Sequence, residues 1–208
     1  MGLSQCVDDV ATRVTGGALT TQSRAHVLSW LELLRTWNAR IDLTAARSEE
    51  ELCDLMLADA LVLAARVPFG AHLVDVGTGA GAPGLALALV RPDLHVTLVE
   101  PLNKRVAFLR SVLGTTGRTD VRLERAKGED LVARGEQWDV AVARATLAPP
   151  AWLALGARLV RDGGSVWVLL AKEPPPELAG VHIAEDVAYA WPLTAATRRA
   201  VRYARESA

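Results

Sequence analysis

The sequence predicts an α/β fold, with a mostly parallel sheet of seven strands following a small N-terminal helical cap. After residue 70, short apolar runs bounded by Gly, Pro or Asp alternate with helix-length amphipathic stretches, as in a parallel sheet covered on both faces. Before them, apolar residues recur at spacings of three and four, the period of a half-buried helix. Between the two patterns lies the breaker Pro68-Phe69-Gly70, which puts a helical cap at residues 1–67 and the main domain at 68–208.

In chain order, Val27, Trp30, Leu31, Leu33, Leu34 and Trp37 mark an amphipathic helix over Ser23 to Arg40, and the pattern repeats from Glu49 to Arg66. Strands are expected at His72 to Val76, His95 to Glu100, Val121 to Arg125, Trp138 to Ala143 and Ser165 to Ala171. Helices are expected at Pro83 to Val90, Lys104 to Leu113 and Pro150 to Leu159. After the break at Pro174-Pro175-Pro176, a closing pair of strands is expected at Val181 to Trp191 and Arg198 to Arg205. A chain of 208 residues suffices for one substantial core with a small appendage.

No run of 18 apolar residues occurs, and residues 1–10 carry acidic groups where a secretory signal would carry basic ones, so a cytoplasmic protein is expected, with no membrane partner. Cys6 and Cys53 show neither metal-ligand spacing nor a neighbouring histidine cluster, so no metal site is expected. The net charge of -1 gives no global attraction to nucleic acid, and DNA is not expected as a partner. Basic residues nevertheless cluster: Lys104, Arg105 and Arg110; Arg118, Arg122, Arg125 and Lys127; Arg198, Arg199, Arg202 and Arg205. Such a local face can hold a phosphate backbone.

The segment Val74-Asp75-Val76-Gly77-Thr78-Gly79-Ala80-Gly81-Ala82-Pro83-Gly84 joins a strand to a helix through glycines, which lets a ligand lie against backbone N–H groups. Asp75 stands before the glycines, where a phosphate-binding loop would rarely put an anion and where a carboxylate can face an ammonium or a bridging water. The Lys-Ser/Thr pair of a phosphate-binding loop is missing, and Gly81-Ala82-Pro83-Gly84 departs from dinucleotide spacing. Glu100, about 20 residues beyond the glycines, closes the second strand as a ribose-hydroxyl acceptor should. Together these point to S-adenosylmethionine, with a nicotinamide cofactor or a plain structural turn as the alternatives. Gly128 and Glu129, in Lys127-Gly128-Glu129-Asp130, lie where the adenine would approach; the segment also reads as a helix start with an acidic first turn.

Trp37-Asn38, Ile41-Asp42-Leu43-Thr44, the loop Asp75 to Gly84, Thr97-Leu98, Lys104-Arg105-Val106, Phe108-Leu109-Arg110, Ala143-Arg144-Ala145, Leu170-Ala171-Lys172 and Glu177-Leu178 together resemble the RsmG (GidB) family, collinearly from about residue 24 to residue 205. The resemblance implies a class I, Rossmann-like methyltransferase that places a methyl on N7 of a guanine in the helix 18 loop of 16S ribosomal RNA. It further implies cofactor contacts at Gly77, Ala82, Gly128, Glu129 and Arg144, an acidic ribose partner at Glu100, and basic residues on the RNA side at Lys104, Arg105, Lys172 and Arg198. Gly79, Gly81 and Asp75 complete the expected cofactor loop, and the partner is 16S RNA or the small ribosomal subunit, met by a monomer. The family's His-x-x-Asp-Ser element reads here Met56-Leu57-Ala58-Asp59-Ala60, its Asn-Leu-Thr begins with Asp42, and the glycine after the strand-five lysine is Glu173. An acidic residue at each of the last two places would repel a phosphate.

A guanine N7 already carries an exposed lone pair, so catalysis needs alignment and electrostatics rather than a strong base. Arg144, after the fourth strand, and Lys172, after the fifth, are the expected catalytic residues, with a surface salt bridge and a solvated lysine as their bland alternatives. Trp37 reads as core of the cap and Asn38 as a turn residue. Two further readings stay open: a paralogue acting on another RNA, a protein or a small molecule, and a cofactor-binding module without catalysis.

Overall fold

The computed structural model describes residues 1–205 of the chain. Its centre is a seven-stranded sheet of β1 (His72–Val76), β2 (His95–Val99), β3 (Arg122–Glu124), β4 (Trp138–Ala143), β5 (Val160–Leu170), β6 (Val181–Ala190) and β7 (Thr197–Arg205), in the order β3-β2-β1-β4-β5-β7-β6. The first five strands run parallel, and β7 is antiparallel to both β5 and β6. The order reverses between β1 and β4, and in such sheets the crevice outside the strands' carboxyl ends at that point receives the ligand.

Side chains alternate across the sheet. Leu73, Val96, Leu98, Val140, Val142, Trp167 and Ala200 enter one apolar cluster, whereas Val74, Val76, Val99, Ala141, Ala143, Val166, Val168 and Val201 enter the other. The first face is covered by α1 (Leu3–Thr15), α2 (Thr21–Asn38), α3 (Glu49–Cys53), α4 (Asp59–Ala64), α5 (Gly84–Val90) and α6 (Asn103–Thr116). The second is covered by α7 (Gly128–Ala133) and α8 (Pro149–Leu159), through Leu131, Trp152, Leu153 and Leu159. Residues of the cap therefore share one continuous core with α5, α6 and the sheet: Trp30 is fully buried, and Trp37 meets Phe108 of α6 edge to face at 5.8 Å.

The helix expected over Glu49 to Arg66 is interrupted, because Asp54–Ala58 forms a π-helical turn between α3 and α4. Such turns insert an extra residue into a helix and recur at functional sites. The first helix, α1, lies outside the sequence expectations, although Leu3, Cys6, Val7, Val10 and Ala11 repeat at helical spacing and are all buried. Strand β5 begins at Val160 rather than Ser165, running through Gly163 and Gly164, whose pair reads locally as a break. Gly164 sits against the Arg161 carbonyl, which an added Cβ would meet at 2.8 Å, so a close backbone approach and not a turn requires it.

Candidate functional site

A cleft of about 510 Å³ opens at the carboxyl edge of β1 and β4, lined by residues of four loops and by the π-helical turn. The glycine loop after β1 contributes Gly77, Thr78, Gly79, Ala80 and Ala82; the segment after β2 contributes Glu100, Pro101, Leu102 and, from α6, Arg105; the segment after β4 contributes Arg144, Ala145 and Thr146. The fourth wall comes from the cap, with Leu43, Thr44 and Ala45 before α3 and Leu55 and Met56 in the π-helical turn.

The glycine loop is held from below and from the side. Gly77 and Thr78 N–H both donate to the Val99 carbonyl, at 2.7 and 3.1 Å, which ties the loop to the end of β2. The Trp30 indole donates to the Ala80 carbonyl at 2.9 Å, tying it to α2. Gly77 has φ 70°, a conformation that favours glycine, and a Cβ there would meet Thr146 Oγ1 at 2.3 Å. At Gly79 the nearest atom to an added Cβ is 3.9 Å away, so this part of the loop forms an open cradle.

Glu100 is 1% exposed, yet its carboxylate faces the cleft. Oε2 accepts the Gly79 N–H at 3.0 Å and Oε1 the Leu102 N–H at 2.9 Å, with Arg105 Nη1 3.8 Å from Oε2. A carboxylate offers about four acceptor positions, so two remain for ligand hydroxyls. Thr78 is buried and lines the cleft, with its hydroxyl beside the Asp75 carboxyl. Open glycine backbone and a fixed carboxylate fit a nucleoside cofactor.

Asn38 supports the cap's side of the cleft. Its Oδ1 accepts the N–H groups of Leu43 and Thr44, at 2.8 and 2.9 Å, and its Nδ2 donates to the Thr44 carbonyl at 3.2 Å. It is a turn residue that shapes a wall of the cleft.

Arg144 stands at the cleft with its side chain 18% exposed. Nη1 donates to the Leu55 carbonyl in the π-helical turn and lies 3.4 Å from Asp59 Oδ2. Its partner is thus a buried carboxylate of the cap, not a surface one.

The structure thereby brings Gly77, Gly79, Ala82, Glu100, Arg105 and Arg144 to one cleft and leaves other expected residues outside it. Asp75 does not line the cleft: it is fully buried behind the loop, where Oδ2 accepts the Gly84 N–H at 2.8 Å and caps α5. Burial pushes its carboxyl up to about 6. Gly81 is pressed between Leu85 and Trp30, which an added Cβ would meet at 2.8 and 3.2 Å. Gly128 packs against Leu155 and Val76, and Glu129 is exposed on a helix start whose Lys127 N–H is capped by Asp130 at 2.9 Å; neither lines the cleft. Lys172 is exposed, two residues beyond the end of β5 at Leu170, and lines no part of the cleft. Lys104 is exposed on the first turn of α6, and the Arg198 guanidinium stacks 3.7 Å over the Trp191 ring. Thr78, Thr146, Leu55 and Met56 are lining residues that the sequence did not single out for the site, since their positions depend on how the loops and the cap meet.

Residues 23–201 match the family described as GidB, rRNA small subunit methyltransferase G. The chain is 36% identical over 184 residues to the ribosomal RNA small subunit methyltransferase G of Myxococcus xanthus, covering 84% of each protein. It is 37% identical over 155 residues to the protein of that name from Anaeromyxobacter dehalogenans, covering 73% of this chain and 71% of the relative. Among solved structures, the O-methyltransferase from Bacillus cereus in complex with SAH shares the fold with a TM-score of 0.63 at 14% identity, over 99% of this chain and all of the other. TrmN from Thermus thermophilus shares it with a TM-score of 0.52 at 20% identity, over 74% of this chain and 48% of the other.

Proposed function

The chain belongs to the GidB family, rRNA small subunit methyltransferase G, and from that membership we propose that it moves a methyl group from S-adenosylmethionine to N7 of a guanine in the helix 18 loop of 16S ribosomal RNA. The observation that carries this reading is the cleft itself: the glycine loop, Glu100 and Arg144 meet at the switch point of the sheet in a chain that matches the family over residues 23–201.

Bound S-adenosylmethionine would supply an electrophilic sulfonium methyl. Glu100 would hold the ribose hydroxyls on its free lone pairs, because its other two are fixed by the Gly79 and Leu102 N–H groups. Gly77, Gly79 and Ala82 would let the cofactor lie close to the backbone. Leu102, 54% exposed at the rim, offers an apolar face to a base.

Arg144 suits the acceptor. N7 must keep its lone pair free, whereas O6 of the same guanine accepts hydrogen bonds, and arginine is a common donor to that edge. With Nη1 committed to the cap, the remaining N–H groups of Arg144 are available to orient the base for in-line attack. Lys104, Arg105 and Arg198 would contact phosphates around the cleft, with Lys172 on the outer rim. The enzyme would act in the cytoplasm as a monomer, on the RNA or the assembled subunit, and among the described residues no helix is long and apolar enough to cross a membrane.

Deletion of the gene, followed by mapping of 7-methylguanosine in the small-subunit RNA, tests the reading. Loss of that nucleoside from the helix 18 loop is expected; an unchanged level overturns it.

A further inference from the structure

We propose that Asp59 is a positioning residue for the methyl transfer, fixing the Arg144 guanidinium at the cleft through a buried, directional carboxylate. The inference rests on the reading of Arg144 as the group that meets the acceptor base. Asp59 is 2% exposed and begins α4, directly after the π-helical turn. Its two oxygens are divided. Oδ1 accepts from the Tyr189 hydroxyl, at the end of β6, at 2.8 Å and from the indole of Trp191, just past that strand, at 2.7 Å. Oδ2 is thereby turned towards Arg144, 3.4 Å away. Burial and the nearby Asp59 charge push the Tyr189 hydroxyl's pKa well above its ordinary range, so that side chain stays a donor.

The neighbouring Asp54, also buried, holds the same tail hairpin by accepting the N–H groups of Leu193 and Thr194 at 3.1 and 2.8 Å. Asp54 thus secures the hairpin without touching Arg144, while Asp59 joins the hairpin to the cleft. The Leu55 carbonyl, presented by the π-helical turn, gives Arg144 a second fixed acceptor. Both acceptors meet Nη1, so the tip of a long, flexible side chain is anchored while its other nitrogens keep their donors. A buried carboxylate with this much coordination is costly to leave unpaired, which makes the arrangement specific to a cation at position 144.

Asp59→Asn in the full chain separates the possibilities. Asparagine retains the oxygen that accepts from Tyr189 and Trp191, but its amide would face the guanidinium donor to donor. With 30S subunits as substrate, kcat is expected to fall about tenfold or more, while the affinity for S-adenosylmethionine, read by calorimetry, stays within about threefold. In an Arg144→Ala background the same change is expected to cost no further kcat, since the group it positions is gone. An equal loss in both backgrounds, or a loss of activity that follows only the fraction of folded protein, overturns the inference. If Arg144→Ala cuts kcat and Asp59→Asn does not, Asp59 has no positioning role and the reading of Arg144 survives. If Arg144→Ala changes neither kcat nor cofactor affinity, that reading fails and the inference falls with it.

Discussion

The indole N–H of Trp30 donates to the carbonyl of Ala80 at 2.9 Å, joining the cap helix α2 to the glycine loop 50 residues further along the chain. The cap therefore sets the shape of the cofactor loop. Trp30→Phe would keep most of the apolar volume and leave a buried carbonyl unpaired, at a cost of about 1–3 kcal/mol. Lower stability in chemical denaturation is expected, together with affinity for S-adenosylmethionine reduced about fivefold or more; unchanged cofactor affinity would show that the loop holds its shape without the cap.

Gly77 and Thr146 pack where a Cβ cannot fit. Gly77→Ala should cut cofactor affinity about tenfold or more, from both the steric clash and the left-handed φ. Adding Thr146→Ala should recover part of the loss and not all of it, because the clashes with Oγ1 and Cγ2 go while the Cβ of residue 146 stays 2.9 Å away and the backbone conformation is still disfavoured. Calorimetry on the two single variants and the double variant reads the coupling.

Glu100 accepts one backbone N–H at each oxygen. Glu100→Gln must turn an amide NH2 towards one of these donors, leaving a hydrogen bond unmade beside the ribose position. S-adenosylmethionine affinity should fall about tenfold to a hundredfold, with the smaller change in stability that a loop-local defect produces.

Asp75 titrates at about 6, against an ordinary value of 3.8, because burial disfavours its charged form. The folded state thus binds this proton more tightly than the unfolded chain, so the group's contribution to stability falls as pH rises from about 4 to about 6 and is level above that. The difference corresponds to about 3 kcal/mol. Asp75→Asn keeps an acceptor for the Gly84 N–H and removes the titration. Denaturation midpoints measured from pH 4 to pH 8 should show a flatter profile for the variant, and a profile parallel to that of the parent would contradict the assignment.

The sheet, the glycine loop and Glu100 were legible because each depends on neighbours in the sequence: a strand period, a turn, an acidic residue at the next strand's end. Asp75 was placed one layer too far forward. Strand parity puts it on the same side as Leu73, towards the helices, and α5 comes down on it through Gly84. The fifth strand's early start at Val160 follows from its pairing with β4, which local composition does not reveal. Least legible was the wall built by the cap. Leu55 and Asp59 meet Arg144 across 89 and 85 residues, and Asp59 meets Trp191 across 132, so helical periodicity identifies the helix without saying what its polar residues hold. Gly128 and Lys172 show the converse, with residues at family positions that the described structure uses for packing and solvent exposure rather than for lining the cleft.

The account is tested most directly by incubating the purified protein with methyl-labelled S-adenosylmethionine and small ribosomal subunits lacking the modification, then identifying and mapping the labelled nucleoside. Label in 7-methylguanosine within the helix 18 loop of 16S RNA is predicted, with kcat reduced but still measurable in Arg144→Ala. Transfer to a different nucleoside, or none to RNA from protein that still binds the cofactor, would contradict it.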